Sequence, residues 1–293
     1  MQVPAHFEYR RATDVDDAVA LLARFGPEAR VVAGGHSLIP MMKLRLAQPE
    51  LLVDINELSE LSGVRLQNGP DGPELRIGAL TRHAELLDSA PVGEHAAMLH
   101  DAERVIADPI VRNRGTVGGS ICQADPSEDL SGAFTALRAV AVIRGADGER
   151  TVPVREFFRG PYETAVGPAE VLVELRVPVR AGSGSSYLKV DRRAGDWAVA
   201  AAGAVLSLRD GRVSAAGLGL TAVGAPGFGA PDAEEYLLGR TPDPETFAEA
   251  GRIAARACRP VADQRGPVDY KLHLAGELTA RALTAAAARA ADR

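Results

Sequence analysis

Only two Gly-Gly pairs occur among the 30 glycines of this 293-residue chain, Gly34-Gly35 and Gly118-Gly119, and they lie far apart in sequence. The first sits in Val31-Val32-Ala33-Gly34-Gly35-His36-Ser37-Leu38 and the second in Arg114-Gly115-Thr116-Val117-Gly118-Gly119-Ser120-Ile121. Both are flanked by apolar residues and followed within two positions by a serine. Adjacent residues without Cβ let the chain take positive φ and let a ligand approach the backbone closely. Successive amides in such a turn form a nest that holds a phosphate, with serine hydroxyls as further donors. A single doubled glycine is most often a plain turn. Two similar loops, distant along the chain, suit a fold that brings them onto a diphosphate from both sides. That requirement fits FAD better than FMN, which has one phosphate.

Polar residues follow the second loop at fixed places, in Ala124-Asp125-Pro126-Ser127-Glu128-Asp129. Asp129 is placed to accept hydrogen bonds from a ribose or an adenine, and Ser127 to cap the next helix. Asp125 before Pro126 reads equally well as a turn former.

Around these loops the periodicities predict a mixed fold. Val15, Ala18, Val19, Leu22 and Phe25 repeat at helical spacing after Thr13, the expected N-cap. Short strands are expected near Arg30–Ala33 and Leu51–Asp54. A hairpin is expected over Val64–Ala79, because Asn68-Gly69-Pro70-Asp71-Gly72-Pro73 is dense in turn formers. Helices at Arg82–Leu87 and Pro91–Ile106 precede strands at Ala139–Ile143, Thr151–Val154 and Val171–Val177. Gly182-Ser183-Gly184-Ser185-Ser186 reads as a flexible connection, which places a domain boundary between 177 and 178. An antiparallel meander (Tyr187–Val190, Ala198–Leu208, Arg212–Thr221) and helices at Pro244–Cys258 and Val268–Ala288 complete the chain. The alanine-rich end reads as a surface helix tail.

The remaining features mainly exclude. A net charge of −6 gives no basic face for nucleic acid. Met1-Gln2-Val3-Pro4-Ala5-His6 has no signal-peptide pattern, and no apolar run reaches the roughly 18 residues of a membrane span. No Walker loop, HExxH, GxSxG or helix-opening GxGxxG is present. Gly217-Leu218-Gly219 and Gly227-Phe228-Gly229 read as turns or bulges. His95 and His100 are badly spaced for two ligands on one helix face and read as surface or capping residues. Cys122 and Cys258 are too few for an iron–sulfur cluster, which ordinarily takes four thiolates. Such sparse cysteine suits a reducing cytoplasm.

On the two glycine motifs, with Ala124-Asp125-Pro126 after the second, the chain resembles the flavoprotein subunits of molybdenum hydroxylases, the family of xanthine dehydrogenases and aerobic carbon monoxide dehydrogenases. The run Ile39-Pro40-Met41-Met42-Lys43-Leu44-Arg45 is especially similar to the carbon monoxide dehydrogenase medium subunits. The likeness extends through Tyr187-Leu188-Lys189-Val190-Asp191-Arg192-Arg193-Ala194-Gly195-Asp196-Trp197-Ala198 to Asp269-Tyr270-Lys271-Leu272-His273-Leu274-Ala275. One departure is Ser120, where the family often has Asn or Asp; serine keeps a hydrogen-bonding group.

The resemblance implies an α+β protein. A PCMH-type FAD-binding domain of two α/β lobes would span 1–177, and a C-terminal domain with a three-stranded antiparallel sheet and helices 178–293, with FAD between them. It implies that Ala33, Gly34, Gly35, His36, Ser37 and Leu38, with Thr116, Val117, Gly118, Gly119 and Ser120, wrap the FAD diphosphate, His36 through its backbone. Asp129 would meet the adenosine part, Lys189 the flavin end, and Trp197 one face of the flavin ring. On sequence alone Lys189 reads as a solvated strand lysine and Trp197 as a core aromatic. The implied partners are a large subunit with a molybdenum cofactor and a small subunit with 2Fe–2S clusters, in a dimer of heterotrimers that reduces a quinone or another acceptor. Membrane contact would occur only through the complex. No catalytic acid, base or nucleophile is expected on this chain. The competing readings are a self-sufficient flavin oxidase, for which Tyr187–Arg293 leaves little room, and an assembly subunit without FAD, against which the intact glycine pairs speak.

Overall fold

A computed structural model describes residues 3–292; Met1 and Gln2, where the amino-terminal reading begins, and Arg293 lie outside the described residues. The first lobe alternates strand and helix: β1 (Glu8–Arg11), α1 (Val15–Phe25), β2 (Ala29–Val32), α2 (Leu38–Lys43) and β3 (Leu51–Asp54). Its three strands are parallel in the order β1-β3-β2. The central strand carries Leu51, Leu52 and Val53 buried in succession, as expected for a parallel strand covered on both faces. Helix α1 lays Ala18, Val19 and Leu22 on this sheet. Its N-cap is Asp14, whose carboxylate accepts from the Asp17 amide at 2.7 Å, one residue later than Thr13.

The second lobe is built differently. Its elements are β4 (Val64–Gly69), β5 (Gly72–Gly78), α3 (His83–Leu87), α4 (Ala90–His95), α5 (Ala97–Glu103), α6 (Pro109–Arg112), α7 (Val117–Gln123), α8 (Asp129–Ala136), β6 (Val140–Gly145), β7 (Gly148–Pro153), α9 (Val154–Phe157), β8 (Phe158–Gly160), β9 (Glu163–Thr164) and β10 (Val171–Pro178). Five strands pair antiparallel in the order β4-β5-β10-β6-β7. The helix expected over Pro91–Ile106 is broken at the buried Ala96 (φ −141°, ψ 55°) and ends at Glu103. Ser127 does not cap α8. Glu128 does, accepting from the Leu130 and Ser131 amides at 2.9 and 2.7 Å.

The third lobe is the meander β11 (Ser183–Val190), β12 (Ala200–Arg209) and β13 (Arg212–Thr221), with α10 (Pro231–Leu237), α11 (Pro244–Ala257) and α12 (Val268–Ala291). Two expectations fail here for one reason, the tight approach of a helix to a sheet. Ser183–Ser186 is the buried start of β11 instead of a flexible connection. A Cβ on Gly184 would overlap the Ala286 carbonyl of α12. The alanine-rich end is correspondingly no surface tail, since Ala282, Leu283, Ala286 and Ala290 are buried against the sheet. Gly217 and Gly219 are not turns either: they lie in β13 beneath α8, where side chains would strike the Ala136 and Gly132 carbonyls.

Charged groups tie the second and third lobes together. Arg155 grips the buried Glu234 with both terminal nitrogens, Arg138 Nη2 donates to the same carboxylate at 3.0 Å, and the Leu218 amide donates to it at 2.6 Å. Arg289 near the end of α12 reaches Asp101 of α5 at 2.6 Å.

Candidate functional site

The two glycine loops meet. Gly34 lies directly on the backbone of Arg114 and Gly115: a Cβ there would overlap the Arg114 carbonyl oxygen and fall 2.8 Å from the Gly115 Cα. A brace holds the contact from behind. Asn56 Nδ2 donates to the Ala33 carbonyl at 2.7 Å, Arg82 Nη2 donates to Asn56 Oδ1 at 2.8 Å, and Arg82 Nη1 donates to the Arg114 carbonyl at 2.6 Å. One guanidinium thus holds the Arg114 carbonyl directly and the Ala33 carbonyl through Asn56, a use of its fork that lysine could not reproduce.

The loops offer different chemistry. In the first, Gly35 takes φ +76°, open to glycine at no steric cost. Among the described residues, no protein acceptor pairs with the amides of Gly34, Gly35, His36 or Ser37. His36 folds back so that Nδ1 donates to the Gly34 carbonyl at 3.0 Å. This is a nest suited to an anion. The second loop is not one. It is the first turn of α7, and its amides are engaged: Val117 with the Thr81 carbonyl at 2.9 Å, Gly118 with Ala79 at 2.8 Å, Gly119 with Thr116 Oγ1 at 3.1 Å and Ser120 with the Thr116 carbonyl at 3.0 Å. Its glycines serve close packing, since a Cβ on Gly118 would fall 2.6 Å from that of Ala79.

Both loops border one cleft of about 980 Å³, the size of a site that engulfs a large ligand. Its walls come from all three lobes. Ala33 to Leu38, Thr116, Gly118, Gly119, Ser120, Asp129, Lys189 and Trp197 all line it. Val117 does not; it is fully buried in the core of the second lobe. Free amides, a bare glycine wall and this volume together fit a dinucleotide.

Asp129 and Lys189 do not sit at opposite ends. Lys189 Nζ donates to Asp129 Oδ2 at 2.8 Å and to the Val105 carbonyl at 3.1 Å, and Tyr187 donates to Asp129 Oδ1 at 2.8 Å. The lysine side chain is 2% exposed, so it is no solvated strand lysine. Burial pushes the Asp129 carboxyl up, against the pull of Lys189 and Tyr187. The two therefore line the cleft as one ion pair. Trp197 is 44% exposed on the cleft instead of lying in the core. Its loop docks through Gly195 (φ +77°), where a Cβ would fall 2.7 Å from the Ala107 carbonyl.

Several lining residues carry no sequence signal. His83 is buried, with Nδ1 at 2.9 Å from Glu103 Oε1 and Nε2 at 3.0 Å from Ser120 Oγ. Nothing in the spacing of these three residues announces the contact. Burial pushes Glu128 up to about 7. Tyr162 donates to Asp125 at 3.0 Å, while Asp125 Oδ1 accepts from the Ser127 amide at 2.9 Å, so Asp125 is a turn former with a second partner. Cys122 also faces the cleft.

Comparison with known proteins agrees with this geometry. Residues 5–180 match the FAD binding domain in molybdopterin dehydrogenase, and residues 185–286 match the CO dehydrogenase flavoprotein C-terminal domain. The chain is 42% identical to the carbon monoxide dehydrogenase medium chain of Hydrogenophaga pseudoflava, over 99% of this chain and 100% of that one. A chain in the solved carbon monoxide dehydrogenase from the same organism superposes with a TM-score of 0.93 at 45% identity, covering 98% of this chain and 99% of that chain. One in quinoline 2-oxidoreductase from Pseudomonas putida 86 gives 0.90 at 33% identity, with the same coverage.

Proposed function

This chain belongs to the flavoprotein family of molybdopterin dehydrogenases, as a medium FAD-binding subunit of the carbon monoxide dehydrogenase type, and from that premise we propose that it is the electron exit of its complex. Electrons released from substrate at a molybdenum cofactor on a large subunit reach this chain through 2Fe–2S clusters on a small subunit. FAD held in the cleft would supply two-electron storage between those clusters and a quinone or another acceptor. The chain's own residues bind and orient that group.

The observation that carries this reading is the meeting of Gly34 with Arg114 and Gly115 beside one cleft that Gly34 and Gly115 both line. We assign cofactor contact to the two loops, with unpaired amides from the first and a bare wall from the second. Asp129, Lys189 and Trp197 line the rest, and the two domains divide between 177 and 178. Carbon monoxide is the proposed substrate and the cytoplasm the proposed compartment. Among the described residues no helix is long and apolar enough to cross a membrane.

The experiment is anaerobic spectroscopy of the purified complex. Carbon monoxide should bleach the flavin bands in the complex and leave the isolated chain unchanged. Flavin reduced directly in the isolated chain by a small substrate would make it a self-sufficient oxidase. A purified chain without flavin bands would remove the reading altogether.

A further inference from the structure

His83 lines the cleft in a position that electron transfer does not explain. Its Nδ1 is 2.9 and 3.1 Å from the two oxygens of Glu103, and its Nε2 is 3.0 Å from Ser120 Oγ. His83 is 3% exposed and Glu103 is wholly buried. The backbone of Gly115 backs the ring, since a Cβ there would fall 2.7 Å from His83 Cδ2. Ser120 and His83 both line the cleft, and Glu103 stands behind the ring.

The consequence follows from counting hydrogens. When the His83–Glu103 pair holds one proton, it sits on Nδ1 against the carboxylate and Nε2 is bare. The Ser120 hydroxyl then donates to Nε2 and offers only lone pairs to the cleft. When the pair gains a second proton, Nε2 carries a hydrogen, whether the other proton stays on Nδ1 or moves to Glu103. Nε2 then donates to Ser120 Oγ, and the hydroxyl hydrogen is released to turn into the cleft.

We propose that His83 is a positioning residue that sets the polarity of Ser120, so that FAD binding through a donating Ser120 takes up one proton at the His83–Glu103 pair. The inference rests on FAD occupying the cleft. The charged groups acting on the ring are Glu103 from α5, Glu128 at the start of α8 and Arg112 from α6. Burial works against the imidazolium, yet Glu103 and then Glu128 leave the His83 pKa above the ordinary value of 6.5, with Arg112 opposing. The switch therefore operates near neutral pH and above.

The test is calorimetric titration of FAD into the flavin-stripped complex, in buffers of different ionisation enthalpy, across pH. Wild type should take up close to one proton, with FAD affinity falling up to about tenfold per pH unit through the transition. Ser120→Ala should bind FAD more weakly at low pH and lose the slope. Glu103→Gln should move the transition to lower pH, and Glu128→Gln should move it the same way by less while leaving the uptake in place. FAD binding without proton uptake, or uptake that survives in Ser120→Ala or vanishes in Glu128→Gln, overturns the switch and leaves the flavin assignment standing. Failure of wild type to bind FAD at any pH overturns both.

Discussion

The two glycine loops look alike as strings and work differently as structures. Among the described residues, the first leaves four successive amides without a protein acceptor around Gly35, whereas the second ties its amides to Thr81, Ala79 and Thr116. One is a donor surface held open. The other is a packed helix start that lets neighbouring backbones come close. The same dipeptide thus answers two demands, and what separates them is whether the following residues enter a capped helix at once. Thr116 caps α7, while Ser37 makes no side-chain cap to α2.

Breaking the contact between the loops should have the largest effect. In Gly34→Ala the methyl group meets backbone that cannot yield, at Arg114 and Gly115. A cost of about 3 kcal/mol is expected, on the order of a hundredfold in FAD affinity by equilibrium dialysis. Affinity within a few-fold of wild type would show that the contact is incidental.

The side of the second loop carries a pH signature. Glu128 lies buried with its pKa raised from 4.5 to about 7. Burial favours its protonated form in the folded state. Its contribution is therefore fully present below pH 4.5 and is lost as pH rises through about 7. Urea midpoints should show wild type losing up to about 3 kcal/mol relative to Glu128→Gln over that window. Parallel curves would refute the assignment.

Next in size is the brace shared by both loops. Arg82→Met removes the bonds to Asn56 and Arg114, at about 2 kcal/mol. FAD affinity should fall roughly thirtyfold, with little change in affinity from adding Asn56→Ala, because both act through one chain of bonds. Fully additive losses would separate them. The smallest effect belongs to Thr116→Val, which removes the cap of α7. About 1 kcal/mol of stability should be lost, with flavin affinity nearly unchanged because the Thr116 hydroxyl is engaged by the Gly119 amide.

Local patterns in the sequence carried much of this fold. The hairpin over Val64–Ala79, the meander and helices α11 and α12 follow from turn residues and periodicity, which act within a few residues. Contacts made at a distance were less legible. Gly182–Ser186 has the composition of a linker, but small residues are also what a strand needs where a helix presses on it, as α12 does at Gly184. The alanines of α12 mislead in the same way. At the site, only the family resemblance pointed to Lys189 and Trp197, while the motifs pointed to the glycines and to Asp129. They could not distinguish engaged from free amides, nor find Arg82, Asn56 and His83, whose roles exist only once remote segments touch.

The walls of the cleft belong to three lobes. A molecule seated there acts as a rivet, because any opening of one lobe from the others loosens its hold. Flavin loading and lobe docking should therefore be a single equilibrium, and FAD at a hundred times its dissociation constant adds about 2.7 kcal/mol against unfolding. Chain that has not yet met flavin should be the form that proteases cut, with the first nicks where the lobes join.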